Sequence, residues 1–360
     1  MVDTIGMGVH GATQALRFGL YLSLNRLVGW HSDRLGRRPR YRPSLPAPGE
    51  GEILADLARL FRRDAEAVRD GLFPSLGEAL GPLETLDRAR AMLADLPSAL
   101  QRRAEADAGS VHDVTTTDGL PAYYTQDFHY QTGGYLSEQS ARLYDMQVET
   151  LFLGGAAPMR REALRPIAGH LRRRDQRRMS LLDVACGTGR FMRDVRLAWP
   201  ALRLTGLDLS GSYLDEARNN LRGLRPASFL RANAESIPLP DGSQSIVTAI
   251  FLFHELPPEA RRHVAAEMAR VLEPGGLLIF IDSLQMGDRP GWDGLLEGFP
   301  VRFHEPFFES YAIDDLGDVF RGVGLAPHSV WTSFLSKVIV CAKPLEDGSA
   351  GCGNPGGQIR

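Results

Sequence analysis

Apolar positions in the first hundred residues recur every three or four places. In "ALRFGLYLSLNRLVGW", residues 15–30, Leu16, Leu20, Leu24 and Leu27 fall on one helical face. Residues 52–73 repeat this spacing with Ile53, Leu57, Leu60, Phe61 and Val68, and a third helix is predicted from Thr85 to about Ala104. Pro97 is expected to kink or end that helix, because an interior proline lacks the N–H and crowds the preceding turn. "DAGSVHDVTTTDG", 107–119, reads as a linker. The most aromatic part of the chain follows, with Tyr123, Tyr124, Phe128, His129, Tyr130 and Tyr135, and then a helix capped at Ser137.

From about residue 180 the period changes. Short apolar runs at 180–185, 202–208, 227–231, 245–252, 277–282, 326–332 and 335–342 predict strands, with helices at 189–198, 211–222, 258–272 and 311–322. Strand–helix alternation implies a parallel sheet with helices on both faces. The last two strands lie so close in sequence that only a hairpin joins them, so one strand is antiparallel, at or near an edge. The expected fold is α/β: a Rossmann-like, seven-stranded, mostly parallel sheet preceded by a mostly helical N-terminal region. The expected organisation is a helical region at 1–107, a linker and aromatic lid at 108–160, a ligand-binding domain at 161–343 and a disordered Gly-rich tail at 344–360.

Composition narrows the function classes. The 360-residue chain is 43% hydrophobic and 24% charged with a net charge of −3, which gives no reason to expect a nucleic-acid partner. Three scattered cysteines, Cys186, Cys341 and Cys352, form neither a disulfide framework nor a zinc pattern, and fit a reducing cytoplasm. No uncharged apolar run has the length of a membrane span, and no secretory signal is evident. Residues 1–45, however, carry seven arginines against two acids. The basic, apolar stretch 15–42 is compatible with a terminal helix packed on the body or with a peripheral membrane contact.

The chemistry concentrates in "LLDVACGTGRF", residues 181–191, where Asp183, Gly187 and Gly189 sit in a strand-to-helix turn. Glycines there let backbone approach a ligand at the carboxyl edge of the sheet. The next strand ends at Asp208, nineteen residues after Gly189, where a carboxylate can accept both hydroxyls of a ribose. A dinucleotide fingerprint needs a third glycine where Met192 stands, so a nucleoside without a pyrophosphate fits better.

The stretch from about 180 to 283 resembles class I S-adenosylmethionine-dependent methyltransferases. Within them it resembles the branch of ubiquinone and menaquinone biosynthesis C-methyltransferases and natural-product methyltransferases. "LLDVACGTGR", "LTGLDLS", "RANAESIPLPDGSQSIVTAIFLFHELP" and "RVLEPGGLLIFID" carry the likeness, in that order. The resemblance implies S-adenosyl-L-methionine as methyl donor and a small organic acceptor, quinone-like or otherwise lipophilic, methylated on carbon or oxygen. It implies donor contacts by Asp183, Ala185, Cys186, Gly187 and Gly189, ribose binding by Asp208 with Leu209 against the adenine, and an adenine edge at Asn233 and Ala234. Asn233 replaces the family's usual aspartate. Phe251 is expected to face the sulfonium, and Tyr144-Asp145 resembles a pair that folds over the donor.

A methyltransferase holds a nucleophile in line with the methyl carbon, excludes water and often removes a proton. His254, just past the fourth strand, is the first candidate for a base, with His129 and Tyr130 in the aromatic segment behind it. That segment is a candidate lid, with Gly133-Gly134 supplying flexibility, or else packs the N-terminal part on the sheet. Glu255 is expected to be a solvent or hinge residue. His304, Phe303, Phe307, Phe308 and Tyr311 are candidate acceptor-pocket residues. No metal is implied, since histidines and acids do not fall at spacings such as His-x-x-x-His. Two other readings are a non-catalytic S-adenosylmethionine- or S-adenosylhomocysteine-binding or scaffold protein, and an NAD(P)-dependent reductase, which Met192 disfavours.

Overall fold

A computed structural model describes residues 3–36, 41–76, 81–105 and 119–345. Most of the expected linker, the tail from 346 onward, Arg37, Arg38 and Arg40 lie outside the described residues. Helices α1 (Thr4–Arg34), α2 (Glu50–Arg69) and α3 (Pro82–Glu105) form the N-terminal region. Helices α4 (Glu138–Leu151), α5 (Ala156–Arg161) and α6 (Leu164–Leu171) lead into the sheet. There β1 (Ser180–Val184), α7 (Arg190–Ala198), β2 (Arg203–Asp208), α8 (Gly211–Asn220), β3 (Ser228–Arg231), β4 (Gln244–Ile250), α9 (Pro258–Val271) and β5 (Leu272–Ser283) alternate. Short helices α10 (Asp293–Glu297), α11 (Phe299–Arg302), α12 (Phe308–Ala312) and α13 (Leu316–Gly322) precede β6 (Ala326–Ser333) and β7 (Ser336–Ala342).

The sheet has seven strands in the order β3-β2-β1-β4-β5-β7-β6. β7 runs antiparallel to both neighbours and sits one place in from the β6 edge, while the pairs from β3 to β5 are parallel. The central strands are mainly apolar because both faces are covered. Leu181, Ile246 and Ile279 face α6 and α7 through Ile167, Met192 and Val195. Their alternates Leu182, Val247 and Phe280 face α9, α12 and α13 through Val264, Phe308 and Phe320. Strand order reverses between β1 and β4, which leaves a crevice at their carboxyl ends.

The N-terminal helices share this core. Ala67 and Val68 of α2 pack in the same cluster as Leu181, and Leu57 and Leu60 meet Met159 and Phe334. Tyr21, Leu24 and Met92 pack on Leu143 and Met146 of α4. Buried Asp64 of α2 accepts from the Arg161 Nε at 2.9 Å and pairs with His10 at 2.7 Å, so ionic contacts lock the same interface.

Three expectations change. Helix α3 runs through Pro97 without ending, since buried Met92 and Leu100 on either side hold it against the body. The late helix predicted at 311–322 is two helices, with Asp315 capping the second by accepting from the Asp318 amide at 2.9 Å. The leucines of α1 do not share one environment: Leu24 is buried, whereas Leu16, Leu20 and Leu27 are exposed by 78%, 40% and 41%.

Candidate active site

The turn after β1 contains three left-handed residues, Ala185, Gly187 and Gly189, with φ of 55°, 53° and 71°. β2 lies beside β1 in the sheet and ends at Asp208, so the topology alone carries this carboxylate to the turn. Asp208 Oδ2 accepts from the Gly187 amide at 2.8 Å, and Oδ1 from the Ser210 amide at 2.9 Å. Burial pushes the Asp208 carboxyl above its usual range, against these amide bonds. The two glycines differ in role. A Cβ on Gly187 would meet open space, whereas one on Gly189 would lie 2.8 Å from the Ala217 Cβ. Gly189 therefore serves the approach of α7 to α8, and Gly187 borders the ligand space.

That space is a cavity of about 120 Å³ lined by Ala185, Gly187, Asp208, Leu209, Asn233, Ala234 and Phe251. All seven are among the residues expected to hold the donor. Asp183, Cys186 and Gly189 are not in its wall. Asp183 is buried and accepts from the Thr248 hydroxyl at 2.6 Å, tying β1 to β4, and Cys186 is packed against Gly206 of β2. Asn233 is at the wall, with its amide oxygen accepting from the Glu235 amide at 3.0 Å. Asp145 anchors the turn from outside, accepting from the Thr188 hydroxyl at 2.8 Å and pairing with Arg190 at 2.9 Å.

The aromatic segment forms the opposite wall through Tyr123, Tyr124, Phe128 and Tyr135. It is fixed rather than loose. Tyr123 donates to Glu235 at 2.6 Å, Phe128 stacks on Tyr135 at 5.2 Å, and a Cβ on Gly134 would strike the Gln126 carbonyl. Gly134 thus meets a steric need.

A second cavity, of about 450 Å³, adjoins the first, and the two share Tyr144, Phe251 and Glu255. Its walls are mainly apolar: Val28, Ile53, Met92 and Leu96 come from the N-terminal helices, Val148 and Phe152 from around α4, and Leu295, Phe299 and Phe303 from the stretch after β5. Of the expected acceptor-pocket residues only Phe303 lines it. Phe308 and Tyr311 are core, and His304 bonds Gln126 at 2.7 Å.

Where the cavities meet, polar groups converge. Glu255 Oε1 accepts from the Tyr135 hydroxyl at 2.6 Å and lies 3.2 Å from His129 Nε2 and 3.6 Å from His254 Nε2. His129 Nδ1 is 3.1 Å from Glu305 Oε1, and His254 Nδ1 is 2.5 Å from Asp282 Oδ1. His129 and Tyr130 both have left-handed backbone, with φ of 56° and 57°, a strain typical of functional sites. Tyr130 lines the larger cavity beside His129.

Burial and paired charges set the electrostatics of this cluster. Burial disfavours charge on His254, but the Asp282 carboxylate overrides it and raises its pKa to about 10. The paired Asp282 carboxylate thus favours the protonated imidazole. His129 is raised too, by Glu305 and Glu255 against burial. Glu255, expected at the solvent, is nearly enclosed. Burial pushes its carboxyl up, and the hydrogen bonds and charges of His129, His254 and Tyr135 bring it below the usual value. Burial pushes Glu305 up. Asp282 and Glu305 were missed because each lies far in sequence from its histidine. The one available signal for Asp282 is its place at the carboxyl end of a central strand, like Asp208.

Residues 181–276 match the family described as "Methyltransferase domain". This stretch is similar to a methyltransferase domain. Among similar proteins are a phthiotriol/phenolphthiotriol dimycocerosates methyltransferase of Mycobacterium ulcerans and a ubiquinone/menaquinone biosynthesis C-methyltransferase of Methylobacterium nodulans. The first is 35% identical over 34% of this chain and 44% of that protein. The second is 33% identical over 45% of this chain and 63% of that protein. The chain thus spans about half the length of the curated relatives it matches. A solved S-adenosylmethionine-dependent methyltransferase from Aquifex aeolicus is 20% identical, covering 46% of this chain and 82% of that one, with a TM-score of 0.36. The matched stretch ends before β5 does, so the N-terminal helices and the residues around Glu305 lie outside it.

Proposed function

We propose that the chain transfers a methyl group from S-adenosylmethionine to a small lipophilic acceptor. The observation that carries the reading is the Asp208–Gly187 contact at the mouth of a cavity that adjoins a larger, apolar one. Asp208, Leu209, Asn233 and Ala234 would hold the nucleoside of the donor, whose sulfonium supplies an electrophilic methyl. Names of relatives that include dimycocerosate and quinone substrates support a lipophilic acceptor.

In this reading Phe251, Tyr144 and Glu255 border the point of transfer, because they belong to both cavities. The aromatic faces favour a cation beside them and keep water out. Glu255 takes the acceptor's proton: its carboxylate is held ionised and its Oε2 has no hydrogen-bond partner among the described residues. His254, 3.6 Å away, and His129, 3.2 Å away, position that carboxylate and favour its charged form. The N-terminal helices form the far wall of the acceptor cavity.

Helix α1 supports a membrane-surface contact. Ile5, Val9, Leu16, Leu20, Leu27 and Trp30 form an exposed stripe along it, with Arg26 and Arg34 on the same helix. Among the described residues no helix is long and apolar enough to cross a membrane. The same helix contributes Asn25 and Val28 to the acceptor cavity, a short route from a bilayer to the site.

Isothermal titration with S-adenosylhomocysteine, followed by methyl transfer from labelled donor to a panel of phenols, quinols and aliphatic alcohols, tests the reading. Donor-product binding with turnover on one of them is expected. Binding with no turnover across the panel would favour a non-catalytic sensor.

A further inference from the structure

The stretch of chain after β5 brings a carboxylate to the site that the methyl-transfer reading does not use. Glu305 is 3% exposed; its Oε1 pairs with His129 Nδ1 at 3.1 Å, while its Oε2 has no hydrogen-bond partner among the described residues. Glu255 Oε2 is in the same condition. A buried carboxylate oxygen left without a partner is costly and uncommon in native proteins. Asp282 is matched by His254 at 2.5 Å, but His129, between Glu255 and Glu305, is one imidazole facing two carboxylates.

One nitrogen of His129, one oxygen of Glu255 and one oxygen of Glu305 lie within 4.8 Å of one another. Two ligands each about 2.1 Å from a common ion are themselves roughly 3–4 Å apart; Glu255 faces Nε2 and Glu305 faces Nδ1 of the ring, so the carboxylates must turn toward one nitrogen to complete a first coordination sphere. The three residues come from the aromatic segment, the turn after β4 and the stretch following α11, which is why no ligand spacing is visible in the sequence. All three line the larger cavity, so a fourth position would open toward the acceptor. The Tyr135 hydroxyl, 2.6 Å from Glu255, supplies the kind of outer support that orients a ligating carboxylate.

We infer that His129, Glu255 and Glu305 bind a divalent transition-metal ion at the junction of the two cavities. One imidazole with two carboxylates suits Zn²⁺ or Mn²⁺ rather than the all-oxygen preference of Ca²⁺ or Mg²⁺. The open position takes an oxygen of the acceptor, so the inference rests on the methyl-transfer reading for its acceptor and on geometry alone for the ion. The acceptor class it names is a lipophilic molecule bearing a hydroxyl or enol oxygen.

The test uses tag-free, full-length protein stripped with a chelator, then titrated with Zn²⁺ and, separately, with Co²⁺ as an optical probe. The parent is expected to bind one equivalent of Zn²⁺ and to give visible Co²⁺ absorption. Glu305→Gln and His129→Gln should each weaken Zn²⁺ binding at least about tenfold. Circular dichroism and S-adenosylhomocysteine titration on the same samples report folding and the donor site. A parent that retains no ion after dialysis, or a folded Glu305→Gln that binds it equally well, overturns the inference. Ion binding without S-adenosylhomocysteine binding would instead sink the methyl-transfer reading and leave the metal site standing.

Discussion

The Asp208 carboxylate accepts the Gly187 amide proton at 2.8 Å, joining the end of β2 to the turn after β1. This bond holds the turn open and keeps a carboxylate oxygen at the ligand cavity. Asp208→Ala should weaken S-adenosylhomocysteine binding by about 1–3 kcal/mol, the usual loss for a charge-assisted hydrogen bond. Calorimetric titration checks it. Unchanged affinity would remove Asp208 from the donor site.

Two glycines separated by a single residue should fail differently when given a methyl group. Gly189→Ala drives a Cβ to 2.8 Å from Ala217 Cβ and 3.1 Å from its Cα, at a left-handed φ. A stability loss of about 2–4 kcal/mol is expected from overpacking and backbone strain together. Gly187→Ala meets no neighbour and should lose only about 1 kcal/mol, the left-handed penalty, but it intrudes on the donor cavity. Urea denaturation and donor titration of both variants separate the roles. Equal stability losses would contradict the assignment.

Glu255→Gln preserves shape and removes the charge that Tyr135, His129 and His254 surround. Turnover should fall about 10²–10⁴-fold, the range for loss of a general base, with S-adenosylhomocysteine affinity nearly unchanged. Full activity in this variant would move the proton to another acceptor. Single-turnover kinetics with labelled donor decide between them.

Leu96 on α3 lines the larger cavity opposite the sheet. Leu96→Trp should raise the KM for the acceptor by about tenfold by filling that space, with donor binding unaffected. An unchanged acceptor KM would detach the N-terminal helices from substrate binding.

How much of this was readable beforehand follows from sequence distance. The strand–helix alternation and the β6–β7 hairpin are local patterns, and the sheet with its one antiparallel strand came directly from them. Gly187 and Asp208 were readable because both sit at strand ends, where topology alone determines neighbours. Glu255 was misjudged because its environment is built by His129, over a hundred residues earlier, and by an aromatic segment whose fold no period announces. His254 was legible as a candidate by its place just past the fourth strand, but its pairing with Asp282 was not, because Asp282 lies on a different strand. Gly189 fits a ligand-loop motif and a helix-packing contact equally well as a string. Only Ala217 on the neighbouring helix separates the two.

Asp183 offers a pH test that avoids the polar cluster. It is 3% exposed, it accepts a hydrogen bond from the Thr248 hydroxyl, and burial pushes its carboxyl up to about 7. An unfolded aspartate titrates near about 3.9. Between those values the folded state keeps a proton that the unfolded state has lost, so raising the pH destabilises the fold. The favourable contribution is therefore fully present below about pH 4, declines through the interval and levels off above about pH 7. Asp183→Asn cannot ionise, so its stability relative to the parent should rise across that window by about 1–3 kcal/mol, the order expected for relieving a buried, poorly compensated charge. Urea denaturation of both proteins at pH 4.5 and pH 8 measures the difference. A gap that stays constant between the two pH values would mean that Asp183 is ionised throughout, with a partner other than Thr248.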